Sequence, residues 1–227
     1  MRRFAAILLA SLAALWPGLP AAQHGAKPEI NERFLKNPDV AAWKKGFENE
    51  GREVYAKRNE IIAATGVKPG MAVADVGAGT GLFTMLFAQA VKPGGRVYAV
   101  DISRAFIEYI GERARAEGLD NVTAILTKGT ETELPEASVD LVYTCDTYHH
   151  FEHPEQTLQS IRRALKPGGR LVVIDFEKIP GQTRQQRMDH TRADKQTAIR
   201  EIEAAGFRFV EEKKLMTENY FVVFARP

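Results

Sequence analysis

Two stretches of the chain bring together residues that could do chemistry. The first is Asp75-Val76-Gly77-Ala78-Gly79-Thr80-Gly81, where glycines alternate at the end of an apolar run. Backbone without side chains lets a ligand lie directly on such a loop, and a helix starting beyond it adds unpaired amide donors. The bland alternative is a tight turn with no ligand. The second stretch is Cys145-Asp146-Thr147-Tyr148-His149-His150-Phe151, which gathers a carboxylate, a phenol and two imidazoles in a short run. Imidazoles titrate near neutral pH, so Asp146, Tyr148, His149 and His150 are the candidates for binding an acceptor and removing a proton from it. The competing reading is that the histidine pair packs and stiffens the loop. Between the two stretches lies Asp101, 20 residues after Gly81 and directly behind the apolar segment Arg96–Val100. A carboxylate there can accept hydrogen bonds from both hydroxyls of a ribose, or else cap the helix that follows Ser103. Asp175 and His190 are further polar residues, read as a loop brace and as a solvated side chain respectively.

The spacing narrows the ligand. Dinucleotide loops run Gly-x-Gly-x-x-Gly. Here the third glycine comes one residue early, and Leu82 stands where the dinucleotide glycine would be. Asp75 precedes the first glycine by two positions. Both departures favour a cofactor without a pyrophosphate.

Positioning these residues requires strands and helices in alternation. Residues 23–37 read as a polar linker punctuated by Pro28 and Pro38. Val40, Trp43, Phe47, Val54, Tyr55, Ile61 and Ile62 recur at helical spacing over Asp39–Ala64, which Gly46 and Gly51 divide. Arg52, Tyr55, Arg58 and Asn59 share one side of this segment and are read as part of a lid. Strands are expected at 71–76, 96–100, 122–126, 139–144, 171–174, 207–210 and 220–224. Helices are expected at 82–90, 106–117, 154–165 and 191–205. Alternation implies parallel pairing through right-handed crossovers. The short connection 211–219 implies an antiparallel hairpin at one edge.

Composition bounds the partners. The 227 residues carry 31 Lys and Arg against 29 Asp and Glu, and the only charges in 1–22 are Arg2 and Arg3. A balanced chain has no electrostatic case for wrapping a nucleic acid. The single cysteine excludes an intramolecular disulfide and a multi-cysteine metal site. Residues 1–22 combine a basic start, the apolar run Phe4–Leu15, a Trp-Pro-Gly-Leu-Pro breaker and small Ala21-Ala22. That pattern reads as an export signal cleaved near Ala21 or Ala22, with a membrane anchor or a cytoplasmic protein as alternatives. The expected organisation is therefore a signal or anchor at 1–22, a linker and helical lid at 23–65, and one catalytic domain at 66–227.

From about residue 66 to the end, the sequence resembles the class I methyltransferases that use S-adenosyl-L-methionine. The resemblance rests on Asp75–Gly81, Asp101, Gly129 with Leu134-Pro135, Asp140-Leu141-Val142 and Leu165-Lys166-Pro167-Gly168-Gly169-Arg170-Leu171, in the family's order. It implies an α/β, Rossmann-like, seven-stranded mostly parallel sheet with helices on both faces and an antiparallel C-terminal edge hairpin. It also implies a small-molecule acceptor. Gly77, Ala78, Gly79 and Gly81 would approach the methionine part, Asp75 would hold its amino group, and Asp101 with Ile102 would take the ribose. Thr130-Glu131 stands at the adenine end, with Thr130 where the family often has an Asp. Asp146 borders both cofactor and acceptor. No metal is expected: catechol-type relatives place an Asn after their second carboxylate, and here Phe176 follows Asp175. Two other functions stay open, a non-catalytic binder of S-adenosylmethionine or S-adenosylhomocysteine and a nucleotide-dependent oxidoreductase.

Overall fold

The computed structural model describes residues 25–227, so the expected export segment lies outside the described residues. A 3-10 turn at Pro28–Ile30 is followed by α1 (Glu32–Leu35), α2 (Val40–Phe47), α3 (Glu53–Ala56) and α4 (Arg58–Thr65). The alternating part then runs β1 (Ala72–Val76), α5 (Leu82–Ala90), β2 (Arg96–Asp101), α6 (Arg104–Ala116), β3 (Val122–Leu126) and β4 (Val139–Cys145). A 3-10 turn at Tyr148–His150 leads into α7 (Pro154–Ala164), β5 (Leu165–Phe176), α8 (Gln185–His190), α9 (Lys195–Ala204), β6 (Arg208–Glu212) and β7 (Asn219–Ala225).

The strands form one seven-stranded sheet in the order β3-β2-β1-β4-β5-β7-β6. Strands β1 to β5 pair in parallel, and β7 pairs antiparallel with both β5 and β6. The expected fold class and edge hairpin are both present. Every residue of β1 is buried, as a parallel strand covered on both faces requires. One face packs Val142, Leu158, Ile161, Ile202 and Phe224 beneath α7 and α9; the other packs Ile61, Phe87, Ile110, Tyr143 and Ile174 against α4, α5 and α6. Truncating any such large side chain to Ala costs about 2–5 kcal/mol.

Three boundaries differ from the sequence expectation. Lys166-Pro167-Gly168-Gly169 lies inside β5, because Gly168 donates to the Arg226 carbonyl at 3.0 Å and Arg226 donates back to Gly169 at 2.8 Å. The expected helix over 191–205 is broken ahead of Asp194, whose carboxylate accepts from the Thr197 amide at 2.7 Å and caps α9. His190 therefore ends a separate helix. The supposed linker is docked: Ala26 is buried and its amide donates to the Phe151 carbonyl at 2.8 Å.

Candidate active site

The switch point of an open parallel sheet lies where neighbouring strands send their connections to opposite faces, here between β1 and β4. A cavity of about 550 Å³ opens at the carboxyl ends of these strands. The glycine loop after β1 forms its floor. Gly77 has φ 75°, and a Cβ added there would meet Thr147 Cγ2 at 2.2 Å, so the loop lies against the end of β4 only because no side chain intervenes. Gly79 has φ 55°, and its missing Cβ would face the Phe47 ring at 3.3 Å.

Two carboxylates hold this loop. Asp101 accepts from the Gly79 amide and the Ser103 amide, both at 2.8 Å. It lines the cavity and supports the loop at once, so both readings of this residue are realised together. Burial pushes its carboxyl up to about 6 against the pull of those amides. Asp75 is 3% exposed and accepts from the Thr84 hydroxyl at 2.7 Å. Burial raises its carboxyl to about 7. A cationic ligand at the loop would return both groups to their ionised form. Ala78, Ile102, Thr130 and Glu131 also line the cavity, with the Glu131 carboxylate reaching out to Arg163 at 3.2 Å.

The amino-terminal helices roof the site. Phe34 and Trp43 stack at 5.0 Å, Trp43 and Phe47 at 5.1 Å, and all three line the cavity. Glu48 accepts from the Thr80 hydroxyl at 3.0 Å and from Arg113 at 2.6 Å, which pins the roof to the loop. Of the residues expected to form the lid face, Arg52 alone lines the cavity. Arg58 instead stacks on Tyr55 at 4.2 Å, and Asn59 is exposed. Phe34 was unreadable as a site residue because it sits in the segment taken for a linker.

On the acceptor side the expected cluster of Asp146, Tyr148 and His149 is redistributed. Asp146 does not pair with a histidine. It adopts φ 50°, binds Arg52 Nη2 at 2.6 Å and accepts from Asn219 Nδ2 at 2.5 Å. A left-handed non-glycine residue held by two partners at a cavity wall is a positioned feature. Tyr148 is corrected outright: its hydroxyl donates to Glu201 at 2.6 Å on the far side of the loop, beside Arg192, and it does not line the cavity. Its aromatic body belongs to the core, and its polar tip needs a buried partner there.

His149 takes Asp175 as partner. Its Nδ1 lies 2.7 Å from Asp175 Oδ1, and its backbone amide donates to Oδ2 at 2.9 Å. His150 Nδ1 lies 2.9 Å from Asn31 Oδ1, and the Asn31 amide group donates to the His150 carbonyl at 3.0 Å and to Glu152 at 2.8 Å. His190 approaches both, with ring centroids 4.9 Å from His149 and 5.2 Å from His150. Burial first, then the neighbouring imidazoles, drive His150 far below its ordinary value and His190 down to about 4. Asp175, expected as a brace, orients a cavity-lining imidazole. His190, expected in solvent, joins the cluster, and Asn31 was missed.

A twisted α/β sheet of this order, with a glycine loop after β1 and an acidic residue after β2, defines a nucleoside-cofactor protein of the Rossmann-like methyltransferase class. A sequence profile of the methyltransferase-domain family matches residues 67–220. The chain belongs to the class I S-adenosylmethionine-dependent methyltransferases, whose cofactor is S-adenosyl-L-methionine. Among curated proteins it is similar to the ubiquinone/menaquinone biosynthesis C-methyltransferase UbiE of Hydrogenovibrio crunogenus, 32% identical over 123 residues, 54% of this chain and 48% of that one. It is also similar to the UbiE of Ectopseudomonas mendocina, 36% identical over 121 residues, 53% of this chain and 47% of that one. The chain thus spans about half the length of these curated relatives. The crystal structure of a SAM-dependent methyltransferase from Aquifex aeolicus shares the fold, with a TM-score of 0.75 and 24% identity over 83% of this chain and 99% of that one.

Proposed function

We propose that the protein transfers a methyl group from S-adenosyl-L-methionine to a small, flat acceptor carrying an ionisable hydroxyl or thiol. The observation that carries this reading is one cavity holding both halves of the reaction. Asp75, the glycine loop and Asp101 line one part of it, and His149, His150 and His190 line another. Phe34, Trp43, Phe47, Phe106 and Phe176 give it aromatic walls suited to a ring. The names of the UbiE relatives point to quinone precursors, which have such rings. Methyl transfer is an in-line displacement at a carbon already activated by the sulfonium charge. The protein must align the nucleophile, exclude water and accept a proton. His149 is placed for the last task, because the Asp175 carboxylate facing Nδ1 fixes the proton there and leaves Nε2 free as the base.

The test is a methyl-transfer assay of the purified protein against a panel of phenols, catechols, quinols, thiols and amines, following S-adenosylhomocysteine formation. Turnover with hydroxylated rings or thiols supports the reading. Turnover with amines alone would replace the acceptor class. Binding of the cofactor with no turnover across the panel would favour the non-catalytic binder.

Residues 1–22 further suggest export, from their basic start and Phe4–Leu15 apolar run. Mass spectrometry of the native protein checks this. A mature chain starting near Gln23 is expected, and an intact Met1 in the soluble cytoplasmic fraction would contradict it.

A further inference from the structure

We propose that His149, His150 and His190 form a site for a zinc-class divalent transition-metal ion, with an open coordination position turned to the acceptor cavity. Each residue offers one ring nitrogen, and the three nitrogens lie within 4.8 Å of one another. All three residues line the cavity.

The surroundings prepare two of the rings for this role. Asp175 engages His149 Nδ1, and the remaining His149 nitrogen, Nε2, is buried with no hydrogen-bond partner. A buried polar atom left unmade is costly unless something completes it. The Asn31 amide nitrogen is already committed to the His150 carbonyl and Glu152, so its oxygen faces the ring and accepts from His150 Nδ1. That leaves His150 Nε2 as a lone-pair donor. Metal-binding histidines are held in this way, with the outer nitrogen donating to a carboxylate or carbonyl oxygen that fixes tautomer and orientation. Burial and mutual proximity also keep His150 and His190 neutral, the form that ligates.

The donor set selects the ion. Three imidazoles without a carboxylate suit zinc, copper, nickel or cobalt, and not magnesium or calcium. Tetrahedral ligands at about 2.1 Å from zinc stand about 3.4 Å apart, so the cluster must tighten by roughly an ångström. His190 can supply that movement, because it ends the short helix α8. Arg33 Nη2 lies 3.4 Å from His190 Nε2, but Arg33 is exposed and free to withdraw to solvent as an ion enters.

Three protein ligands and one open position are the pattern of a catalytic zinc site. The use of that position rests on the methyltransferase reading; binding of the ion does not. A hydroxyl or thiol of the acceptor would coordinate there and lose its proton to solvent at neutral pH. The bond from the acceptor to the methyl carbon then forms as the carbon–sulfur bond breaks, and that electron pair returns to sulfur to give S-adenosylhomocysteine.

The test is titration of untagged, chelator-treated full-length protein with Co(II), followed by visible absorption, then Zn(II) competition. The expected result is one ion per chain with the intense absorption of tetrahedral cobalt. His190→Ala should weaken zinc binding at least a hundredfold, and Asp175→Asn about 10–100-fold, as losing an outer partner typically does. His190 lies on a peripheral helix, so its variant folds even where His149→Ala does not. No saturable binding below millimolar ion, or zinc affinity unchanged in His190→Ala, overturns the proposal. S-adenosylhomocysteine affinity measured on the same samples separates the two claims. Retained cofactor binding without a metal site sinks this inference alone, whereas metal binding without cofactor binding sinks the methyltransferase reading.

Discussion

Asp175 grips His149 through both carboxylate oxygens, one on the ring Nδ1 at 2.7 Å and one on the backbone amide at 2.9 Å. The side chain and the loop that carries it are thereby set by one buried group from the neighbouring strand. With Nδ1 protonated, only Nε2 is left to act on the acceptor. Asp175→Asn keeps the shape but offers an amide where a carboxylate fixed the proton. Turnover should fall about 10–100-fold, and His149→Ala should lower it by roughly 10²-fold or more. Affinity for S-adenosylhomocysteine should be unchanged in both. Steady-state kinetics beside calorimetry on the same samples checks this, and normal turnover per folded molecule in His149→Ala would remove the residue from the chemistry.

Tyr148 provides the contrasting case. Its hydroxyl is buried against Glu201, which also holds Arg192 in a bidentate pair at 2.8 and 2.9 Å. Tyr148→Phe removes a hydrogen bond to a charged group, worth about 1.5–3 kcal/mol. A chain of this size should then melt several degrees lower, at roughly 2–4 °C per kcal/mol. Turnover per folded molecule should stay at the wild-type value. Thermal unfolding and kinetics of the variant decide between this structural role and the catalytic one that the sequence suggests.

Cofactor binding should depend on pH through Asp75 and Asp101. Burial holds their carboxyls at about 7 and about 6, above the unfolded value. The folded, empty protein therefore binds protons that the unfolded chain has released. The associated stability is fully present at acid pH and is lost as pH rises through 6 to 7. A cofactor ammonium beside Asp75 reverses that preference by favouring the carboxylate. Affinity for S-adenosylhomocysteine should rise about tenfold or more from pH 5.5 to pH 8 and then level off. Asp75→Asn should bind weakly and lose most of that dependence. A flat profile in the native protein would contradict the assignment of Asp75 to the ammonium.

The cofactor half of the site was legible from the chain, and the acceptor half only partly. Asp75, Gly77, Gly79 and Asp101 are local features, because a strand end, a turn and a helix start each leave a mark within a few residues. The strands in between announce themselves by apolar runs bounded with Gly and Pro. The histidine cluster has no such local mark. His149 depends on Asp175 26 positions away, and His150 on Asn31 119 positions away. Which of Asp146 and Asp175 would pair with His149 is decided by a left-handed turn at Asp146 that carries its carboxylate to Arg52 and Asn219. A non-glycine residue at positive φ leaves no sequence signature. The segment 25–37 read as a linker because its anchoring comes from single residues, Ala26, Asn31 and Phe34, and not from a period.

Gly79 tests the loop itself. Its positive φ is unfavourable to a β-branched residue, and the direction of its absent side chain is toward Phe47 across the cavity. Gly79→Val should fold, with the sheet intact by circular dichroism, and bind S-adenosylhomocysteine at least a hundredfold more weakly. Unchanged affinity would mean that the cofactor does not lie on this loop.

The most direct measurement is isothermal titration calorimetry of the full-length protein with S-adenosylhomocysteine and, separately, with NAD. One molecule of S-adenosylhomocysteine should bind per chain, and NAD should give no heat above dilution. Saturable NAD binding with none for S-adenosylhomocysteine would contradict the assignment of this cavity to methyl transfer.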